Sequence, residues 1–388
     1  MRSGELVGEI EVWAGTGVGW PRGTTLTLNG LEMLDSAGQT LGVLDAADAR
    51  LLGVIHARSP EGDRVVTPLS PGVGSHVYVT GGEAYELAAL GSFDVGVEIS
   101  SMLGTEYAVV RDGKVWVRVT LADGTEAPYV ASEIGGERAE FAPSPSGRLA
   151  LSLDDGGFTL LGAAVPESDA LAARQAWPDG LGERRGAISW SADESRVVVA
   201  GAEAVAAIDV RSGTAVVYPV NSMDIGLDPN LQSGQPLVAS WGVDGTSVLF
   251  ATREALWQLD TETGQASLIA SAPRPGGFTS GTVLSAAPDG SAMAVGTAFG
   301  LFVPEAGGEW LLISRIGMPA IDGEVHWSED ASRLAYAGAT ASGRPYGVVE
   351  VAVAEGQPKL ITLGIAAQQV LGWLDGGRIV YVYRVTTD

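Results

Sequence analysis

The chain has 388 residues, of which 23 are basic and 47 acidic, for a formal net charge of −24. A field of that sign repels phosphate backbones and anionic membrane surfaces, which removes nucleic acid from the expected partners. Cysteine is absent, so disulfides, thiolate metal sites, iron–sulfur clusters and cysteine nucleophiles are excluded together, while the redox compartment stays open.

The N-terminal stretch MRSGELVGEIEVW carries acids where a secretory signal needs a basic start and an apolar run. The protein is therefore read as cytoplasmic, or as the part that follows a removed signal. Residues 14–23, AGTGVGWPRG, offer G-x-G-x-G, but Trp20-Pro21 interrupts any following helix. The motif reads as a flexible or strand-capping loop rather than a phosphate cradle. Residues 1–23 are accordingly taken as an N-terminal extension and 24–388 as a single domain. The longest uncharged stretch, Gly290 to Pro304, is fifteen residues with interior glycines, too short for a membrane-spanning helix.

A hairpin pattern, LEMLDSAGQTLGVL, runs from Leu31 to Leu44. Beyond it a strand–turn–strand unit recurs: ARSPEGDRVVTPL from Ala57, SSMLGTEYAVVRDG from Ser100, EFAPSPSGRLALSL from Glu140 and ISWSADESRVVVAG from Ile188. The series continues with ASWGVDGTSVLFAT from Ala239, LSAAPDGSAMAVGT from Leu284, VHWSEDASRLAYAG from Val325 and VLGWLDGGRIVYVY from Val370. One equivalent position in each copy falls at 58, 100, 142, 190, 241, 286, 327 and 372, with intervals of 42, 42, 48, 51, 45, 41 and 45. Constant spacing of this size marks a repeat architecture. A second hairpin follows the first, as in AVAAIDVRSGTAVVYPV from Ala204 and ALWQLDTETGQASLIA from Ala255, with glycine at the turn where positive φ is needed.

Four strands per repeat is the β-propeller blade. The predicted fold is all-β, an eight-bladed propeller, with seven blades as the alternative if the copy at Ser100 is irregular. The last copy stops at Tyr383 after two strands, so the Leu31–Leu44 hairpin is expected to supply its outer strands and close the ring. Trp190, Trp241 and Trp327 stand at the equivalent position and read as wedges between blades.

The turns WSADESR, WSEDASR and SPEGDR resemble the repeats of TolB-type, WD40-like β-propellers, over residues 54 to 383. That resemblance implies a noncatalytic platform for protein contacts, often outside the bacterial cytoplasm, hence a periplasmic or secreted protein with the cytoplasm as the alternative. The stretch LWQLDTETGQ is also similar to quinoprotein-like propellers, although Leu268 stands where they would have tryptophan.

Signals for chemistry are sparse. The three histidines, His56, His76 and His326, lack a partner pattern and read as packed or surface residues. DIGLDPN, Asp224 to Asn230, supplies oxygen ligands but misses the spacing of a calcium loop. Asp154-Asp155 reads as a hairpin turn, and Asp193, Asp244, Asp289, Asp330 and Asp375 as residues that bond their own turns. No G-x-S-x-G occurs. No catalytic residue, metal or cofactor is expected; the alternative is an enzyme or a carbohydrate or small-ligand receptor that uses the central channel, with calcium.

The long irregular segments, Thr67–Ser75, Pro178–Gly186, Pro219–Leu237, Ser271–Gly281 and Gly338–Gly347, join strand two to three or strand four to the next blade, and so share one face. Function on a rigid scaffold sits on such loops. The expected partner is a protein or peptide, in an envelope or multi-subunit assembly, held by Arg184, Arg185, Met223, Asp224, Arg274, Phe278, Arg344 and Tyr346. Arg, Met and aromatic residues are the types enriched at interfaces.

Overall fold

The structure, a computed structural model, describes residues 6–12, 24–29, 32–34, 40–44, 51–58, 64–68, 74–81, 86–93, 98–103, 106–111, 115–120, 126–128, 140–146, 149–162, 174–220, 235–273, 277–279, 281–305, 307–314, 324–339, 345–361 and 367–385. Strands β1 (Leu6–Val12), β2 (Thr24–Asn29), β3 (Glu32–Leu34), β4 (Thr40–Leu44), β5 (Leu51–Arg58) and β6 (Arg64–Pro68) pair in chain order as one six-stranded meander. All later strands form four-stranded antiparallel sheets.

Six of these sheets also follow chain order. The first two comprise β9 (Glu98–Leu103), β10 (Glu106–Arg111), β11 (Val115–Thr120) and β12 (Glu126–Pro128), then β13 (Glu140–Pro143), β14 (Leu149–Asp154), β15 (Gly157–Gly162) and β16 (Arg174–Ala176). Next come β17 (Arg184–Trp190), β18 (Arg196–Gly201), β19 (Ala204–Asp209) and β20 (Ala215–Pro219), and β21 (Pro236–Trp241), β22 (Ser247–Thr252), β23 (Ala255–Asp260) and β24 (Ala266–Ser271). The last pair is β25 (Val283–Ala286), β26 (Met293–Thr297), β27 (Gly300–Pro304) and β28 (Trp310–Ser314), and β29 (Val325–Trp327), β30 (Arg333–Ala339), β31 (Pro345–Ala352) and β32 (Gln357–Leu360). A further sheet joins the two ends of the chain in the order β33 (Ala367–Leu374), β34 (Arg378–Val385), β7 (Gly74–Gly81), β8 (Glu86–Phe93).

First strands lie side by side from sheet to sheet: β9 with β13, β17 with β21, β21 with β25, β25 with β29, β29 with β33, and β33 with β9. Between β13 and β17 the Trp190 indole N–H donates to the Ala142 carbonyl at 3.1 Å. Among the described residues the strand pairing thus gives seven four-stranded sheets, the number of the alternative count. The copy at Ser100 is a regular first strand, whereas Arg58 ends β5 inside the N-terminal meander.

One further expectation is corrected by the pairing. The hairpin that completes the last blade is Gly74–Phe93, not Leu31–Leu44. β34 has eight residues and pairs along its whole length with the eight of β7, from Arg378↔Gly81 to Val385↔Gly74, whereas β3 and β4 have only three and five. Strands β1 and β2, on either side of residue 23, pair from Leu6↔Asn29 to Val12↔Thr24.

Burial explains why the middle strands are continuous apolar runs. Each blade is covered on both faces, so residues of either parity must be apolar. In RVVVAG, Val197 and Val199 pack with Leu151 and Trp190 in the seam to one neighbour, while Val198 and Ala200 pack with Trp241 and Phe250 in the seam to the other. Two of the wedge tryptophans, Trp190 and Trp327, also bond across seams, Trp327 Nε1 donating to Ser285 O at 3.0 Å, as does Trp373 Nε1 to His326 O at 2.9 Å; the buried Trp241 Nε1 has no hydrogen-bond partner among the described residues. The arginine that ends the repeated turn stacks on the next blade's tryptophan, Arg196 on Trp241 at 4.6 Å and Arg333 on Trp373 at 4.9 Å. Such cation–π contacts add to the apolar burial at each seam. In the last blade Tyr381 stacks on Tyr78 at 5.9 Å, and the buried hydroxyls of Tyr381 and Tyr383 lack a hydrogen-bond partner among the described residues. Burial pushes the Tyr381 phenol well above its ordinary pKa.

The repeated turns are held by their aspartates, as expected at four positions. Ser191 Oγ donates to Asp193 at 2.6 Å, Ser195 N–H to the same carboxylate at 3.1 Å, and Arg196 N–H to Ser191 Oγ at 3.0 Å. The pattern recurs at Ser328, Asp330, Ser332 and Arg333. Asp244 accepts the Thr246 and Ser247 amides, and Asp289 that of Ser291. At Asp375 the turn is a 3-10 segment, and its backbone carbonyl, rather than its carboxylate, accepts from Arg378 Nε. Asp154 likewise accepts the Gly156 amide at 2.8 Å in its hairpin turn. Donation from the Ser328 and Ser332 hydroxyls and the Ser332 amide lowers Asp330 from 3.8 to about 2. Burial raises Asp244, but the donors at Ser247 and Thr246 outweigh it and its net shift is downward.

Three outcomes are expected. Trp190→Ala should cost about 3 to 5 kcal/mol, read from denaturant unfolding, because it empties a seam. Tyr381→Phe should raise the melting temperature, since it removes a buried hydroxyl that has lost water and gained no partner, a cost of about 1 to 3 kcal/mol. Because Asp330 titrates lower folded than unfolded, its stabilisation is complete above the ordinary 3.8 and is lost as pH falls through about 2. The stability difference between the native protein and Asp330→Asn should therefore be largest near neutrality and shrink as unfolding is measured toward pH 2.

Candidate functional site

The succession of sheets has two unlike ends. Most turns from strand one to two and from three to four are short, and several are held by their own hydrogen bonds; the link 163–173 between β15 and β16 is the long exception. At the opposite end emerge the links from strand two to three and from strand four to the next blade, which include the long segments at 177–183, 220–235, 272–282, 315–324 and 340–344.

Along the innermost strands the polar side chains are committed to neighbours. Ser189 Oγ accepts the Trp241 N–H at 3.1 Å and lies 3.3 Å from Ser240 Oγ, and Ser285 Oγ donates to the Val325 carbonyl at 2.8 Å. None of these hydroxyls is bonded to a histidine. His326 Nε2 lies 3.2 Å from Glu324 Oε2 at the partly exposed start of β29. His76 is buried in β7, and His56 lies on β5. Among the described residues no group of three or more His, Cys, Asp or Glu could hold a metal ion.

At the loop end, the link 177–183 folds over the turn between β18 and β19: the amides of Ala202 and Glu203 donate to the carbonyls of Glu183 and Leu181, and Leu181 is fully buried. This anchors the start of β17, where the two expected arginines stand. Arg184 Nη1 donates to Gly186 O at 3.1 Å, with its guanidinium 5.8 Å from the Trp177 ring, and Arg185 Nη1 donates to Gln235 Oε1 at 2.9 Å. Both are half-buried and adjacent. Tyr346 lies on β31, while Met223, Asp224, Arg274 and Arg344 fall outside the described residues, as do the DIGLDPN and AGTGVGWPRG stretches.

Phe278, expected at the surface, is buried instead. It is 2% exposed, its N–H donates to Arg253 O at 2.7 Å, and its ring meets Trp310 edge to face at 5.9 Å. An apolar ring that reaches the seam between β23 and β25 gains more there than in water. The residue that reaches solvent instead is Phe299, 51% exposed. It sits in the two-residue link between β26 and β27, and its N–H is fixed to Thr297 Oγ1 at 3.1 Å. Phe299 borders a cleft whose other walls are Pro273, Phe278, Thr279, Thr297 and Phe302. The signal was present in the sequence TAFGL, where an aromatic at the tip of a tight turn has no core to enter.

The chain matches no family model and no curated protein. Among solved structures it is similar to the β-propeller domain of Cps50 (Swd1) from Myceliophteria thermophila, at 14% identity and a TM-score of 0.50, over 76% of this chain and 99% of that one. It is also similar to a putative TolB from Agrobacterium tumefaciens, at 12% identity and a TM-score of 0.42, over 81% of this chain and all (100%) of that one. An oligogalacturonate lyase in complex with manganese aligns at 12% identity and a TM-score of 0.48, over 86% of this chain and 96% of that one. At such identities the likeness is one of fold. With its repeated serine–aspartate turns and its succession of four-stranded sheets, the chain has the fold of a β-propeller.

Proposed function

We propose that this propeller is a noncatalytic scaffold that holds a protein or peptide partner on its loop-rich face, as a component of an envelope or multi-subunit assembly. The observation that carries the reading is Phe299, an aromatic side chain 51% exposed on a rigid two-residue link, beside an apolar cleft on the face where the loops gather. A fixed aromatic of this kind loses little entropy when a partner covers it, which is why such residues dominate interface energetics. Arg184 and Arg185 add guanidinium groups on the same face. The placement outside the cytoplasm rests on the resemblance of the turns to TolB-type repeats; no helix among the described residues is long and apolar enough to cross a membrane.

The reading is tested by affinity capture from lysate and envelope fractions, with the native protein and a Phe299→Ser/Arg185→Ala variant as baits. A partner retained by the first should be lost from the second at unchanged melting temperature. Once that partner is identified, Phe299→Ala alone should weaken it by roughly 30-fold, the effect of losing about 2 kcal/mol. Equal recovery by both baits would overturn the loop face as the binding surface.

A further inference from the structure

Every blade of a propeller ends in an outer strand with a free edge, and sheet proteins guard such edges with charge or proline. Most blades here do so. β12 carries Glu126 and Pro128, β20 ends on Pro219, β32 carries Pro358 and Lys359, and β16 carries Arg174, ion-paired to Asp154 at 2.8 Å. The adjacent strands β24 and β28 read ASLIAS and WLLIS and have neither. Each instead exposes a leucine, Leu268 at 54% and Leu311 at 41%. The turns that lead into these two strands are acidic, with Asp260, Glu262, Glu305 and Glu309 all exposed. Asp260 accepts the amides of Glu262 and Thr263 at 2.8 and 2.9 Å, which keeps it a carboxylate.

We infer that the edge of β24 receives an extended segment of another protein that carries lysine or arginine at its end, and that this segment adds a fifth strand to the blade. Backbone pairing along Ala266–Ala270 supplies the attraction common to any strand, since the Ser271 carbonyl already accepts the Trp310 indole N–H; Leu268 covers an apolar side chain of the incoming strand, and Asp260 and Glu262 at the start of β24 select its basic end. A second copy of this chain fits poorly, because it brings a net charge of −24 to an acidic rim. This surface is on the outer wall and does not depend on the loop face.

The test is fluorescence anisotropy with two labelled peptides, KVTVTVK and EVTVTVE, titrated with the full chain and with Leu268→Lys. A second variant, Val243→Lys, adds the same charge at an exposed turn on another part of the surface, where Val243 is 40% exposed. The basic peptide should bind, weaken at least tenfold with Leu268→Lys but not with Val243→Lys, lose affinity as salt screens the carboxylates, and slow amide exchange along β24. Four results would overturn the inference: no binding of the basic peptide, equal binding of the acidic one, equal loss with both variants, or a dimer dissolved by Leu268→Lys in a protein that ignores the peptide.

Discussion

Each blade of this ring is apolar on both faces, and a sheet of that kind is stable only when a neighbour covers each side. The seams are therefore the interaction from which the rest follows. Val197 and Val199 need the blade before theirs, and Val198 and Ala200 need the blade after. A row of such sheets always leaves two faces bare unless it bends into a circle. The pairing of β34 with β7 removes both bare faces at once, which is why the last blade is assembled from opposite ends of the chain.

The seams also divide the labour between the two ends of the ring. At one end the serines and aspartates bond their own turns, Glu194 reaches Ser146 on the adjacent blade, and Arg196 lies over the next tryptophan. Little there is available for anything else. The other end carries links that range from the two residues of Ala298-Phe299 to more than a dozen between Val220 and Pro236, and these can change length without disturbing a seam. An aromatic on the shortest link is held as firmly as the scaffold itself.

What the sequence shows is what short-range chemistry determines. The turn W-S-x-D-x-S-R builds its own hydrogen bonds within six residues, so the repeat and the blade were legible. The eighth copy at Arg58 has the same turn chemistry, but whether a hairpin joins a blade or a meander depends on the strands that flank it, and those are chosen at long range. The same reason hid the closing hairpin: LEMLDSAGQTLGVL and the Gly74–Phe93 segment both alternate as strands do, and only the eight-residue match to β34 distinguishes them. Phe278 and Phe299 are equal as letters. One lies in a long link able to fold back into a seam, the other in a link too short to turn inward.

The joining of β34 to β7 brings Tyr381 opposite Tyr78, residues separated by 303 positions (381 − 78). Closing a loop of that length costs roughly 5 kcal/mol in chain entropy, and it rewards nothing until nearly the whole chain exists. During synthesis the early blades can stack in order, but β7 and β8 must wait, unpaired on the β34 side, until the last strands emerge. Assembly of the circle is thus a late step, slow by the measure of contact order. Until then the waiting edge of β7 is the part of the nascent chain most open to pairing with the wrong strand.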